Sequence, residues 1–537
     1  MKKKKQKSLF SRLPFFILIF TLYPAMTLLA INVREVELSV VFRPLLFSLI
    51  GTILLLGIVQ FFFKDWVKTS LATTVILLFF FTYGHITRLL SDRLDPSLYR
   101  AIQITIYLIF ITLTILAVRW IARRDVSIVN WVAPLNIVAL VLILFPVVQI
   151  VRYVAGIGPS PAPSSSDDDV VFTSGTSQPP QSAPSTHPQP TGDNPNQYPD
   201  VYLIVLDGYS RADTLEALGY DNSEFLKSLE GIGFYVAQCS RSNYRHTLLS
   251  MSSTFSMDLL WRAIPNSGPK DTNAAPLYEQ LIHNPVRNDF EQRGYTTVAF
   301  QTGYKWDQWT DADYYLVQQQ STNTRAASPL TPFEFIFLKS TALYPFIENS
   351  SLATQRYYGH YEEVNYTLNE LPKVATSIPG PKFVYAHIMA PHTPYIFLPD
   401  GSFNVDSRYY NTETGTPSNP KLDAVGYINN VQFLNSRMLK ILDEIIKNSK
   451  IPPIIVVQGD HGYVLPERRF NNLMAFYFPN GGSASLYPTI TPVNTFRLIS
   501  NLYFGTNLEL RNDVSNESDI GHPYLQKRAP EFPETCP

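Results

Sequence analysis

The first 155 residues carry apolar side chains in near-continuous runs, not the single stripe of a helix with one wet face. The runs fall at Leu13–Ile31, Pro44–Phe63, Leu71–Leu89, Ile102–Ile121 and Val132–Val151. Each reaches, or nearly reaches, the ~20 residues a helix needs to cross a hydrocarbon core of about 30 Å. One such run alone would equally suit a buried core helix. Five in succession, with short polar breaks, predict five membrane spans. The third is the least apolar, with His85 and Arg88 near its end.

The pattern then changes twice. Residues 156–199 read as a linker: from Pro159 onward they hold ten prolines, many serines and the run Asp167–Asp169, with almost nothing apolar to bury. From residue 200 short apolar runs alternate with helical periodicity. Val201–Leu206, Thr297–Phe300, Phe383–Ala386, Ile454–Val457 and Met474–Phe478 predict buried strands. Ser223–Gly231, Leu277–Arg293 and Gly426–Lys447 predict helices, and Leu248–Met257 is a weaker helical stretch. Alternation of this kind predicts an α/β domain over 200–537 with a largely parallel sheet, whose ligands gather at the carboxyl ends of the strands.

Charge sets the orientation. Eleven Lys and Arg fall at the N-terminus, around Lys64 and Lys68, and at Arg119, Arg123 and Arg124. Six fall on the other side, at Arg34, Arg43, Arg88, Arg93, Arg100 and Arg152. The positive side faces the cytoplasm, so an odd number of spans places residues 200–537 outside. The basic start and first apolar run also resemble a signal peptide, but four further spans and the lack of a small-residue cleavage site favour an uncleaved anchor. Net charge is −1, which gives no support for a nucleic-acid partner. Two cysteines, Cys239 and Cys536, cannot build a disulfide framework or a multi-thiolate zinc site.

Three strand ends carry groups suited to a hard or borderline divalent cation. They are Leu206-Asp207-Gly208-Tyr209, the stretch from Ala386-His387 to Pro391-His392-Thr393-Pro394-Tyr395, and Gly459-Asp460-His461-Gly462. Gly459 and Gly462 permit the sharp turn that lets an adjacent Asp and His address one ion. Taken singly, Asp-Gly is an ordinary turn and a lone His an ordinary hydrogen-bonding group. Thr247 stands where the helical stretch Leu248–Met257 begins. It suits two roles there: a helix N-cap, or a hydroxyl nucleophile beside a metal and unpaired N–H groups.

The order Leu-Asp-Gly-Tyr, a hydroxyl residue about forty positions on, a His-rich strand end and Gly-Asp-His-Gly resembles the alkaline phosphatase and sulfatase superfamily. The spans with an external domain resemble its lipoteichoic acid synthase and phosphoglycerol transferase branch. The motifs cover about residues 200–480 and are poorly specific to substrate. The resemblance implies an alkaline phosphatase-like fold, with Asp207, Thr247, Asp460 and His461 as ligands of one divalent metal (Mn, Zn or Mg) and Thr247 as nucleophile. It gives His392 a catalytic role at the substrate phosphate or leaving group. Asn243, Arg245, His387 and Tyr395 become substrate contacts. That branch typically has Glu where this chain has Asp207. Asp-Gly is closer to nucleotide pyrophosphatase relatives, which use two metals, so a second ion remains open, with His387 or His392 and His522 as partial ligands. Sulfatases need a modified Cys or Ser in a Cys-x-Pro-x-Arg-like context, and Cys239 is followed by Ser-Arg-Ser. The expected activity is therefore phosphoester hydrolysis or transfer on a lipid head group or envelope polymer. The alternatives are a sulfatase of the same fold and an inactive envelope-binding relative. The expected partners are the lipid bilayer and an anionic ester.

Overall fold

A computed structural model describes residues 13–155 and 198–529, apart from 34–35, 37, 92–95, 124–130, 266, 303–304, 319–329, 348–349, 411–419, 464, 466–467 and 520. All but the last two residues of the expected linker lie outside the described residues, as do Arg34, Arg93, Arg124, Tyr304 and Cys536. The chain forms two compact units, one from Met1–Gly158 and Ser328–Arg356, the other from Pro159–Ala327 and Tyr357–Pro537. The α/β domain expected over 200–537 is thus interrupted: the described residues within 328–356 group with the apolar helices.

The first unit contains α1 (Phe16–Ile31), α2 (Phe42–Phe63), α3 (Trp66–Ser91), α4 (Pro96–Arg123) and α5 (Val132–Val154). The last four are long and apolar enough to cross a membrane, and α1 is a shorter apolar helix of 16 residues. The protein is a multi-pass membrane protein. The α1 end is tied in by Asn136 of α5, whose Oδ1 accepts from Phe16 N (2.9 Å) while its Nδ2 donates to Leu13 O (2.9 Å). Helix N-terminal N–H groups have no partner of their own, and lipid offers none, so a side chain supplies it. Near the start of α3, Lys68 Nζ donates to Ala122 O near the end of α4 (3.1 Å), which joins the two cation-rich breaks at one end of the helices.

The second unit is built on a seven-stranded sheet. Its strands are β1 (Val201–Leu206), β2 (Tyr235–Val236), β3 (Thr296–Phe300), β4 (Tyr314–Leu316), β5 (Lys382–Ile388), β6 (Ile454–Gln458) and β7 (Met474–Tyr477), in the order β2-β7-β6-β1-β5-β3-β4. β6, β1, β5, β3 and β4 are parallel, and β7 is antiparallel to both of its neighbours. Central β1 is buried at every position. Tyr202, Ile204 and Leu206 enter one apolar cluster, and Val201, Leu203 and Val205 enter the cluster on the other face. Burying one such aliphatic side chain contributes about 1.5–3 kcal/mol. That explains why both faces of β1 read as a continuous apolar run without alternation.

Two predicted elements differ in detail. The helix expected over Leu277–Arg293 is two helices, Ala275–Ile282 and Pro285–Gln292. Pro285 cannot continue the first, and Asn284 caps the second by accepting from Arg287 N at 2.7 Å. The helix expected from Gly426 begins earlier, at Pro420, and runs to Asn448. Strands β2 and β4, two and three residues long, fall below the length at which periodicity is legible.

Candidate active site

Strands β5, β1 and β6 are adjacent and parallel, so their carboxyl ends form one rim. After β1 the chain turns at Asp207, whose N–H donates to Ile388 O of β5 (3.0 Å) and whose carbonyl accepts from His392 N (3.0 Å). After β6 the turn at Gly459 passes against the β1 turn. A Cβ on Gly459 would lie 2.2 Å from Tyr209 O, so only glycine allows this approach. Asp460 Oδ1 then accepts from Gly208 N (2.9 Å), and Asp460 O accepts from Ser250 Oγ of helix Thr247–Ser256 (2.6 Å). These bonds, each between residues some 180–250 apart in sequence, fix four segments to one another.

Asp207, Asp460 and His461 are fully or almost fully buried, and Thr247 is 4% exposed. Both Asp207 oxygens and Asp460 Oδ2 are buried with no ordinary hydrogen bond. Buried polar atoms in that state are costly, so three of them facing one space require an explanation. Distances supply one. Asp207 Oδ1 and Asp460 Oδ2 lie 3.7 and 3.5 Å from His461 Nε2, and Thr247 Oγ1 lies 3.4 Å from the same nitrogen. Ligands about 2.1 Å from a tetrahedral ion would be ~3.4 Å apart. The donor atoms of Asp207, His392 and His461, and those of Asp207, His387 and Asp460, form two groups with all separations within 4.8 Å. The cluster thus fits a divalent cation, and the oxygen and imidazole donors suit Zn, Mn or Mg chemistry.

The tautomers agree with this fit. His461 Nδ1 donates to Gly462 O (2.8 Å) and His392 Nδ1 donates to Thr393 O (2.8 Å), so each presents Nε2 to the cluster. Burial pulls the His461 pKa below its ordinary value, which keeps the ring a neutral acceptor. Burial pushes Asp207 upward, but the neighbouring imidazoles, His392 and His387 foremost, outweigh it and lower the carboxyl to about 2. Asp207 is therefore ionised at neutral pH, the form that suits a cation.

Thr247 is the first residue of its helix, and the N-cap is His246, which makes no side-chain cap bond. The threonine hydroxyl is consequently not spent on capping. His387, expected as a substrate contact or as a partial ligand of a second ion, lies in the donor cluster: its Nε2 is 3.5 Å from Asp207 Oδ2. Asn243 does not reach the cluster with its amide. Its Nδ2 donates to Thr491 Oγ1 and Val514 O, and its Oδ1 accepts from Val493 N, which makes it a loop clamp. Tyr395 is buried with its hydroxyl on Asp423 Oδ2 (3.1 Å), and Tyr463 shares that carboxylate. Arg245 is half-buried, and its carbonyl accepts from Arg469 Nε (2.8 Å). His522 is exposed on the hairpin Asn516–Asp519/His522–Arg528 and belongs to neither donor group.

Sequence reasoning missed Asp307. It lies in the turn Lys305–Asp307 after β3, fully buried. Its Oδ2 accepts from His387 Nδ1 (2.5 Å), and its Oδ1 accepts from Tyr385 OH (2.8 Å). A carboxylate on the far nitrogen fixes the ring and strengthens the near nitrogen as a ligand. Burial lowers the His387 pKa, but Asp307 and Asp207 outweigh it and raise it well above the ordinary value, so the ring must give up its Nε2 proton before that nitrogen can serve as a donor.

No protein-family profile matches the sequence, and no curated protein does either. Among solved structures, the chain is similar to the C-terminal periplasmic domain of EptC from Escherichia coli in complex with zinc. That likeness has 12% identity and a TM-score of 0.38, covering 62% of this chain and 91% of that one. It is similar to the integral membrane lipooligosaccharide phosphoethanolamine transferase A from Neisseria meningitidis at 13% identity and a TM-score of 0.37, covering 91% and 95%. It is also similar to a phosphonate monoester hydrolase of Agrobacterium radiobacter, at 12% identity and a TM-score of 0.36, covering 59% and 80%.

Proposed function

We propose that this protein is a membrane-anchored phosphoester hydrolase or phospho-group transferase that depends on a divalent metal and uses Thr247 as its nucleophile. The observation that carries the proposal is the convergence of Asp207, Asp460 and His461 on one space beside the unspent Thr247 hydroxyl. Asp207, Asp460, His461 and Thr247 would hold the ion, with His387 as a further donor. Bound there, it would lower the pKa of the threonine hydroxyl and offset the charge on the ester oxygens.

The chain's own groups account for the rest. Thr247 Oγ1 forms the new bond to phosphorus while the first alcohol departs with a proton. The N–H groups of the first helical turn and the positive end of the helix dipole face the ester anion. His392 Nε2, in the same cluster, is placed to exchange a proton with the leaving or entering oxygen. Water or an acceptor hydroxyl then attacks phosphorus and restores Thr247.

Cys239 is disulfide-bonded, so it is not a thiol awaiting conversion to a sulfatase nucleophile. This favours phosphate over sulfate ester. A disulfide also suits an oxidising compartment, which agrees with the cation bias in placing the second unit outside the cytoplasm. Attachment to a bilayer in the same chain supports a lipid head group or envelope polymer as substrate. The test is Thr247→Ala in the full chain. Turnover of a phosphodiester probe is expected to fall to background while the bound metal, measured by elemental analysis, is retained. Undiminished turnover removes Thr247 from the mechanism. Faster release of sulfate than of phosphate from matched aryl esters would instead favour the sulfatase reading.

A further inference from the structure

Residues 328–356 come from the middle of the α/β sequence, between β4 and β5, yet belong to the unit of apolar helices. Helix Pro332–Lys339 starts with a complete capping box of Thr331 and Glu334. A second helix, Tyr344–Ile347, has no buried residue. Eight residues of helix extend only about 12 Å, too short to cross a bilayer.

The segment docks on the spans by main-chain bonds. Ala342 N donates to Phe80 O (2.8 Å), and Gly84 N donates to Ser340 O (3.2 Å). A Cβ on Gly84 would lie 2.0 Å from Lys339 O, so the approach requires glycine on α3. Phe337 packs on Phe81 (5.8 Å between centroids), Phe346 packs edge-on against Tyr107 of α4 (5.9 Å), and Glu334 pairs with Arg43 of α2 (3.1 Å).

These contacts fix a height along the spans. At 1.5 Å per residue, Phe80 and Gly84 lie about 21 and 27 Å along α3 from Trp66. Tyr107 lies about 24 Å along α4 from Arg123, and Arg43 about 30 Å along α2 from Phe63. Three helices thus place the segment near the end opposite Lys64 and Lys68, at the limit of a core of about 30 Å. Leu343 is 44% and Phe346 67% exposed there. Phe346 abuts Tyr107, whose neighbours one turn away, Ile104 and Ile111, are outward-facing on the same span, so the apolar surface is continuous. Aromatic residues are favoured at this level of a membrane.

We propose that Pro332–Ile347 lies in the interfacial layer of the leaflet opposite Lys64 and Lys68, with Leu343 and Phe346 seated among phospholipid acyl chains. The partner is the bilayer itself. The chain then enters the membrane once more after its five apolar helices, without crossing it.

The experiment uses the full chain in vesicles of phosphatidylcholine and phosphatidylglycerol. Nitroxide labels are placed by Phe346→Cys and, as a second position should the first variant fail to fold, by Leu343→Cys. Both native cysteines, Cys239 and Cys536, are replaced by serine, so the introduced cysteine is the one labelled. Labels at Leu108→Cys on the lipid-facing side of α4 and at Arg123→Cys at its cation-rich end are the references. Collision with oxygen should exceed collision with a water-soluble nickel chelate severalfold at Phe346, as at Leu108. Nickel accessibility equal to that of the Arg123 label would overturn the proposal.

Discussion

Asp307 reaches the cluster through His387, and no local pattern in the sequence marks it. Its turn looks like any loop with a Trp and an Asp; only the fold brings it to a strand end 80 residues away. Asp207, Asp460 and His461 were legible because each follows a run of buried strand residues, where a charged side chain is out of place unless it binds something. Asp307→Asn keeps the shape but removes the charge that orients His387. Metal affinity or activity is expected to fall about 10–100-fold, and isothermal titration with Zn or Mn checks the first without recourse to turnover. Glu363 offers a test of burial alone. Desolvation pushes its carboxyl from 4.5 to about 8. The native chain therefore keeps a proton between those pH values that the unfolded chain releases, so stability falls as pH rises through that window. Glu363→Gln is expected to raise the melting temperature at pH 8 and above and to leave it unchanged near pH 4, as thermal melts of the detergent-solubilised chain would show.

At the level of elements, the strands that build the site were readable and those at the sheet margin were not. β1, β5 and β6 are buried on both faces and spell themselves out as apolar runs. β2 and β4 are too short to do so. Helix Thr247–Ser256 was expected, but which residue caps it was not, and that choice decides whether the threonine hydroxyl is spent. The β6 turn depends on close backbone approach. In Gly459→Ala the new methyl must displace the β1 turn, since it would otherwise sit 2.2 Å from Tyr209 O. Asp460 would move away from Asp207, and we expect loss of bound metal at wild-type secondary-structure content, read by elemental analysis alongside circular dichroism.

Across the whole chain, composition showed a membrane part, a proline-rich stretch and an α/β part, yet it did not reveal that residues 328–356 rejoin the membrane unit. Their three phenylalanines at alternate positions, Phe333, Phe335 and Phe337, read equally well as core of either unit. Two further outcomes concern the entire protein. Cys239 should resist alkylation in intact cells until a reductant is added, as mass spectrometry of the peptide would reveal; immediate labelling would place the domain in a reducing compartment. Chelation should lower the melting temperature, and added Zn or Mn should restore it; an ion at 100 times its dissociation constant stabilises by about 2.7 kcal/mol.

The order β5-β1-β6 at the sheet centre has a consequence for how the protein ages and fails. Neighbours in space there are strangers along the polypeptide, so no fragment shorter than roughly the whole α/β half can assemble the cation pocket. Ion occupancy is then a gauge of sheet integrity. A partly frayed chain should lose its capacity to take up added Zn or Mn, and with it any turnover, before its helices show damage.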